Sequence, residues 1–294
     1  MSSIYLESEI YLLKRRIIMS KTVLITGCSS GFGKATAELF LSQKWNVIAT
    51  MRTPPENFGE IFDGGGQVLV TQMDVNDPDS ISRAIDSGIQ RFGRIDAVVN
   101  NAGIGLFGAL EATPASTIRE VFETNVFGVI AVAQKVIPYL REQRSGTIIN
   151  VTSNTALTPM PLVSVYAASK TAIEGFSESL AYEMSLFNIR VKLVEPGFAP
   201  TTSFGANSNE RIKSLIPEPY ANYAGQLLNN LQNRSVAYTR EQDVAEKIFA
   251  AATDESDKLR YPAGADSEAS AELRWTNSED EYLRQMRATF APKV

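Results

Sequence analysis

The run Thr22-Val23-Leu24-Ile25-Thr26 passes directly into Gly27-Cys28-Ser29-Ser30-Gly31-Phe32-Gly33, and this junction constrains the fold more than any other stretch of the chain. A short, continuous, β-branched run is the pattern of a strand buried on both faces, as parallel sheets require. Ala35, Ala37, Leu39, Phe40 and Leu41 follow at helical spacing. Glycines between strand and helix let a phosphate approach backbone amides exposed at the helix N-terminus. That context distinguishes a phosphate loop from an ordinary glycine-rich turn.

The same rhythm continues. Strands are expected at 46–50, 67–73, 95–99, 147–151 and 191–194, with a last short one at 258–261. Helices are expected at 78–92, with Asp77 as N-cap and Pro78 at the first position, and at 117–141, 164–186 and 241–252. Alternating strands and helices call for an α/β fold: a Rossmann-type, doubly wound parallel sheet of about seven strands with helices on both faces. Residues 19–294 read as one domain, and 198–240, rich in Pro, Gly, Asn and Ser, break the rhythm as a substrate-loop region. Residues 1–18 carry two short apolar patches split by Glu7 and Glu9, then Lys14-Arg15-Arg16. Neither a secretory signal nor a membrane span has that order. The segment reads as a loosely ordered extension before Met19, with a peripheral interaction segment as the alternative.

Composition narrows the chemistry. With 44% hydrophobic and 21% charged residues the 294-residue chain is globular, and a net charge of −5 offers nucleic acid no basic footprint. Cys28 is the sole cysteine, which precludes an intrachain disulfide and fits a reducing, cytoplasmic setting. No histidine is present, so Ser-His-Asp hydrolysis and His-containing metal sites are excluded, and no metal is expected. Proton transfer falls to tyrosine, lysine and carboxylates.

Tyr166 and Lys170 stand four residues apart, on one helix face, where an ammonium can shift the acidity of a phenol. Ser153 lies thirteen residues upstream of Tyr166, closing the apolar run at 147–152. Together with the loop T-G-x-x-x-G-x-G at 26–33, Asp74-Val75, Asn100-Asn101-Ala102-Gly103, Asn125 and Pro196-Gly197, these residues resemble the short-chain dehydrogenase/reductase family in its non-extended form. The resemblance covers about residues 21–262 in the family's order. The stretches 22–33 and 48–52 look like the branch holding hydroxysteroid and retinol dehydrogenases.

The resemblance implies hydride transfer between a nicotinamide cofactor and an alcohol or carbonyl. Tyr166 would be the acid/base, and Lys170 would lower its pKa and hold the nicotinamide ribose. Ser153 would bind the substrate oxygen, and Asn125 would support a proton path to Lys170. Gly27, Gly31 and Gly33, in a loop that also carries Phe32, would cradle the pyrophosphate, Ser29 and Ser30 would donate to a 2′-phosphate on the adenosine ribose, and Asp74 and Val75 would meet the adenine. Asn101, Ala102 and Gly103 would line the adenosine side, with a structural role for Asn101 equally open. Pro196 and Gly197 would turn beneath the nicotinamide and Thr201 would reach its carboxamide; here Ala199 and Pro200 depart from the family's P-G-x-V-x-T.

The end of the second strand bears on the nucleotide. An acid there binds a ribose hydroxyl in NAD-preferring folds, whereas arginine accommodates a 2′-phosphate. Here Met51 occupies the acid's place and Arg52 follows, so NADP(H) is preferred and NAD(H) remains possible. A solvated Arg52 is the alternative. Residues 198–240, 104–107 and 157–163 would wall the substrate pocket, and their apolar content suggests an apolar alcohol or carbonyl, with a place in the core as the equal alternative. An NADP(H)-binding sensor or scaffold without turnover is the rival reading, against which Ser153, Tyr166 and Lys170 count. Extended-branch epimerases are disfavoured by the loop pattern. A homodimer or homotetramer is expected through the helices at 117–141 and 164–186, where Ala167, Ala168 and Ala172 permit close approach.

Overall fold

Strands β1 (Thr22–Thr26), β2 (Asn46–Met51), β3 (Val68–Gln72), β4 (Ala97–Asn100), β5 (Gly146–Val151), β6 (Ile189–Pro196) and β7 (Arg260–Ala263) form one seven-stranded sheet. Its order is β3-β2-β1-β4-β5-β6-β7, with every neighbouring pair parallel. The structure, a computed structural model, describes residues 20–54, 62, 65–200, 215–233 and 237–291. The 1–18 extension, Thr201 and parts of 198–240 lie outside the described residues.

The helices are α1 (Gly31–Ser42), α2 (Pro78–Phe92), α3 (Ala115–Phe122), α4 (Gly128–Gln143), α5 (Ser164–Ser185), α6 (Glu218–Gln232), α7 (Glu241–Thr253), α8 (Ala265–Thr276) and α9 (Glu279–Phe290). Side-chain alternation along β1 shows both faces covered. Val23 and Ile25 pack with Ala37 and Phe40 of α1 and Val244 and Ile248 of α7. Leu24 packs with Ile81 of α2, Val132 of α4 and Leu180 of α5 on the other face. Asp77 caps α2 as the sequence predicts, accepting from the amide of Asp79 at 2.9 Å.

Two features depart from the sequence reading. The helix expected at 117–141 is α3 and α4 joined by a π-helical turn, Glu123–Phe127. Asn125 sits in that turn, the kind of local irregularity that re-aims a side chain. The continuous run Ala115–Gln143 is long and apolar enough to cross a membrane by length and composition. Its buried residues, among them Val121, Val132, Val136 and Leu140, pack into this fold, as a core helix does. Secondly, α6, α8 and α9 are additional helices. Ala224 and Leu227 of α6 pack on Ala109 and Leu162, which explains a helix in a stretch of weak intrinsic pattern.

Candidate active site

The strand order reverses between β1 and β4, and ligands of open α/β sheets bind at that crevice, outside the carboxyl ends of the strands. Two loops meet there. Gly27 and Gly31 adopt φ of +74° and +55°, conformations that favour glycine. A methyl group on Gly33 would lie 2.2 Å from the Gly27 carbonyl oxygen, so helix and loop touch backbone to backbone. The Thr26 hydroxyl accepts from the amides of Asn101 and Ala102 at 3.0 and 2.9 Å. Asn101 Nδ2 donates to the carbonyls of Thr26 and Gly27 at 2.9 and 3.3 Å. Asn101 therefore braces the loop, the structural role left open by the sequence. Ser29 and Ser30 are exposed at the N-terminus of α1, whose first turn holds no acid. Phe32 packs against the core face. Burial pushes the Cys28 thiol up to about 12, leaving it inert. A loop this closely packed, with no acid to repel an anion, fits a dinucleotide pyrophosphate.

Beyond β2, Met51 is buried in the core while Arg52 is exposed. An acid at 51 would thus be desolvated rather than presented, and Arg52 is the side chain facing outward. Asp74 Oδ1 accepts from the amide of Asn76 at 3.0 Å, a local turn leading towards α2. Val75 is buried, and a methyl on Gly128 would come within 2.8 Å of it.

Asn125, Ser153, Tyr166 and Lys170 converge, although they come from the π turn, the end of β5 and helix α5. Asn125 Oδ1 accepts from the amide of Ile104 at 2.8 Å, while its Nδ2 donates to the Ile104 carbonyl at 2.9 Å and to Ser169 Oγ at 3.1 Å. A methyl on Gly103 would lie 3.2 Å from Asn125 Oδ1 and 3.4 Å from Lys170 Nζ, so these three residues border one space. Lys170 Nζ donates to the Val151 carbonyl at 3.0 Å and lies 5.9 Å from the centre of the Tyr166 ring. Ser153 caps the 3₁₀ turn Asn154–Ala156, accepting from the amide of Thr155, and also hydrogen-bonds Tyr166.

The electrostatics bear on one expectation. The sequence reading has Lys170 lowering the Tyr166 pKa. In the folded chain burial dominates, pushing the phenol up to about 12 against the Ser153 hydrogen bond. Burial also pulls Lys170 down to about 8, opposed by the charge of Glu174.

Pro196 and Gly197 end β6 beside α8. The Gly197 amide donates to the Ala263 carbonyl at 2.9 Å, and a methyl on Gly197 would collide with the carboxylate of Asp266. Asp266 accepts from the Phe198 amide at 2.8 Å and from Thr239 Oγ1 at 2.7 Å, clamping the turn. Sequence reasoning missed Asp266, Thr239, Glu174, Glu195 and Arg260. A signal existed for two: Glu174 continues the Tyr166/Lys170 stripe by one turn, and Glu195 interrupts an apolar strand.

Comparison with known proteins agrees with this arrangement. The short chain dehydrogenase family profile matches residues 21–212. An uncharacterised oxidoreductase of Bacillus subtilis, YusZ, is 38% identical over 83% of this chain and 89% of its own. The 3-ketodihydrosphingosine reductase of Bacteroides thetaiotaomicron is 40% identical over 71% and 74%. Retinol dehydrogenase 8 of Bos taurus is 40% identical over 60% and 58%. A short-chain dehydrogenase from Streptomyces avermitilis superposes with a TM-score of 0.77 at 29% identity, covering 94% of this chain and 99% of that one. Solved chains of this fold hold NAD in one case and NADP in another. With the profile spanning most of its length and relatives of this identity, the chain belongs to the short-chain dehydrogenase/reductase family of oxidoreductases.

Proposed function

We propose that this protein is an NADP(H)-dependent oxidoreductase interconverting an apolar alcohol with its ketone or aldehyde, with Tyr166 as acid/base. The observation that carries the reading is the convergence of Tyr166 with Ser153, Lys170 and Asn125 beside the glycine loop. The loop amides would hold the pyrophosphate, and Arg52, with Ser29 and Ser30, would take the 2′-phosphate. Lys170 would hold the ribose hydroxyls, and Pro196 and Gly197, with Thr201 beyond the described residues, would take the nicotinamide. When bound, the cofactor supplies or accepts the hydride.

Ser153 donates to the substrate oxygen and stabilises charge developing there. Tyr166 gives that oxygen its proton in carbonyl reduction and takes it back in alcohol oxidation. Burial raises the phenol pKa, and the neutral phenol is the form that gives its proton in the reducing direction. Asn125 holds the Gly103–Ile104 backbone against Lys170, keeping the ammonium within reach of the phenol. The apolar residues bordering the site, including Leu106, Val163 and Met160, favour an apolar substrate, as do the names of the reductase and retinol dehydrogenase relatives.

A panel of carbonyls and alcohols, followed by NADPH absorbance with NADH in parallel, tests the reading. Tyr166→Phe should abolish turnover and leave NADPH affinity nearly unchanged, because only the phenolic proton is lost. Substantial residual turnover would sink the acid/base assignment.

A further inference from the structure

Tyr166, Lys170, Glu174 and Glu178 follow one another at four-residue intervals along α5, a single stripe of one helix face. Three consecutive residues at the end of β5 grip the first three. Ser153 hydrogen-bonds Tyr166, the Val151 carbonyl accepts from Lys170, and Thr152 Oγ1 donates to Glu174 Oε1 at 2.7 Å. Glu174 is buried like Tyr166 and Lys170, so the stripe enters the protein as a phenol, an ammonium and a carboxylate.

The far side of Glu174 meets a second acid. Its Oε2 lies 3.2 Å from Arg260 Nη2 on β7, and the same guanidinium pairs with Glu178 at the exposed end of the stripe. Arg260 Nε is 3.5 Å from Glu195 Oε1 on β6. Glu195 is wholly buried, and neither of its carboxyl oxygens has a hydrogen-bond partner among the described residues. Three carboxylates share one guanidinium here, and buried acids so close do not all ionise. Thr152 and Arg260 both favour the anion on Glu174, whereas Glu195 has only the misaligned Nε. Burial raises the pKa of both acids, but Thr152 and Arg260 draw Glu174 back down, whereas burial and the Glu174 charge push Glu195 up to about 8. Lys170 in turn faces the uncharged Tyr166, Ser153, Gly103 and Asn125. Glu174 is the one charge among the described residues that offsets its burial.

We propose that Glu174 is a positioning residue for the Tyr166/Lys170 pair: it stays ionised because Glu195 holds the proton, and so keeps Lys170 charged beside the phenol. The proposal rests on the oxidoreductase reading, in which Lys170 must be an ammonium both to hold the ribose and to assist Tyr166. Glu195 acts one step further back, as the buried acid that leaves the anion to Glu174.

Glu174→Gln keeps the size and the Thr152 contact but removes the charge. An opposite charge one helical turn away is worth about one pH unit in a buried site, so the alkaline limb of the kcat/KM profile should move about that far toward acid. Turnover should then fall about fivefold near pH 8 and little near pH 6, and Glu174→Asp should restore the wild-type limb. The alkaline loss of NADPH affinity, read by fluorescence, should move in parallel. Glu195→Gln, which mimics the protonated acid, should leave both limbs in place. Infrared spectra at neutral pH should show a protonated buried carboxyl that Glu195→Gln abolishes. A uniform loss at every pH in Glu174→Gln, with the limb unmoved, would mean a purely structural role and overturn the proposal. So would a carboxyl band that survives in Glu195→Gln. Wild-type protein that turns over nothing in the panel would remove the oxidoreductase reading instead, while the binding and infrared measurements still judge Glu174 and Glu195.

Discussion

Arg52 is the first exposed residue after β2, and the residue before it, Met51, is buried in the core. A guanidinium grips a phosphate through paired, charge-assisted hydrogen bonds worth roughly 1.5–3 kcal/mol, or about 10- to 150-fold in affinity. Arg52→Ala should weaken NADPH by about that factor and leave NADH almost unchanged, as fluorescence titration can measure. Equal losses for both cofactors would make Arg52 structural. Gly33 offers a prediction of another kind. Its Cβ position is 2.2 Å from a backbone oxygen and 2.6 Å from Asn101 Nδ2, neither a flexible chain end. Gly33→Ala must push the loop off Asn101, costing about 1–3 kcal/mol of stability and weakening both cofactors alike. Urea denaturation and parallel NADPH and NADH titrations would check it.

At the scale of elements, β6 carries a testable cost. Glu195 sits inside a strand buried on both faces, and its folded-state pKa near 8 is far above the ordinary carboxylate range. At low pH the folded and unfolded chains both hold this proton, and its contribution to stability is fully present. As pH rises from about 5 to 8 the unfolded chain releases the proton first, so stability falls by up to roughly 1.4 kcal/mol per pH unit. Above the folded pKa the slope ends. Glu195→Gln should flatten this decline relative to wild type, measured as urea midpoints across that range; parallel curves would mean Glu195 is ionised at neutral pH. Element by element, legibility varied with pattern strength. Strand β1 and helix α2 declare themselves through a continuous β-branched run and an Asp-Pro start. Helix α9 buries only Tyr282, whose hydroxyl donates to the Leu157 carbonyl at 3.2 Å, so its sequence offers almost no apolar period to read.

For the molecule as a whole, α5 and the π turn leave large apolar side chains in solvent. Tyr182 is 80% exposed, Leu186 70% and Phe127 55%. Tyr182 and Leu186 stand one turn apart at the end of α5, and exposed large apolar side chains of this kind mark a candidate interaction surface. We expect this face to pair with a second copy, giving a dimer or tetramer by light scattering at micromolar concentration. Tyr182→Glu with Leu186→Glu should shift the population to monomer without altering the fold; wild-type protein that is monomeric would refute the pairing.

The sequence by itself determined the architecture and pointed to the groups proposed to react, because both are written in short-range terms. Period and glycine placement specify strand, loop and helix, and a Tyr-Lys spacing of four puts both on one helix face wherever the helix goes. Only the tertiary structure decided their electrostatic state. Lys170 is drawn down by burial rather than acting freely on Tyr166, and its counter-charge on Glu174 is shaped by Arg260 and Glu195, which strands far apart in sequence bring together. Desolvation is a property of the surrounding volume, and no local pattern encodes how much water a side chain loses.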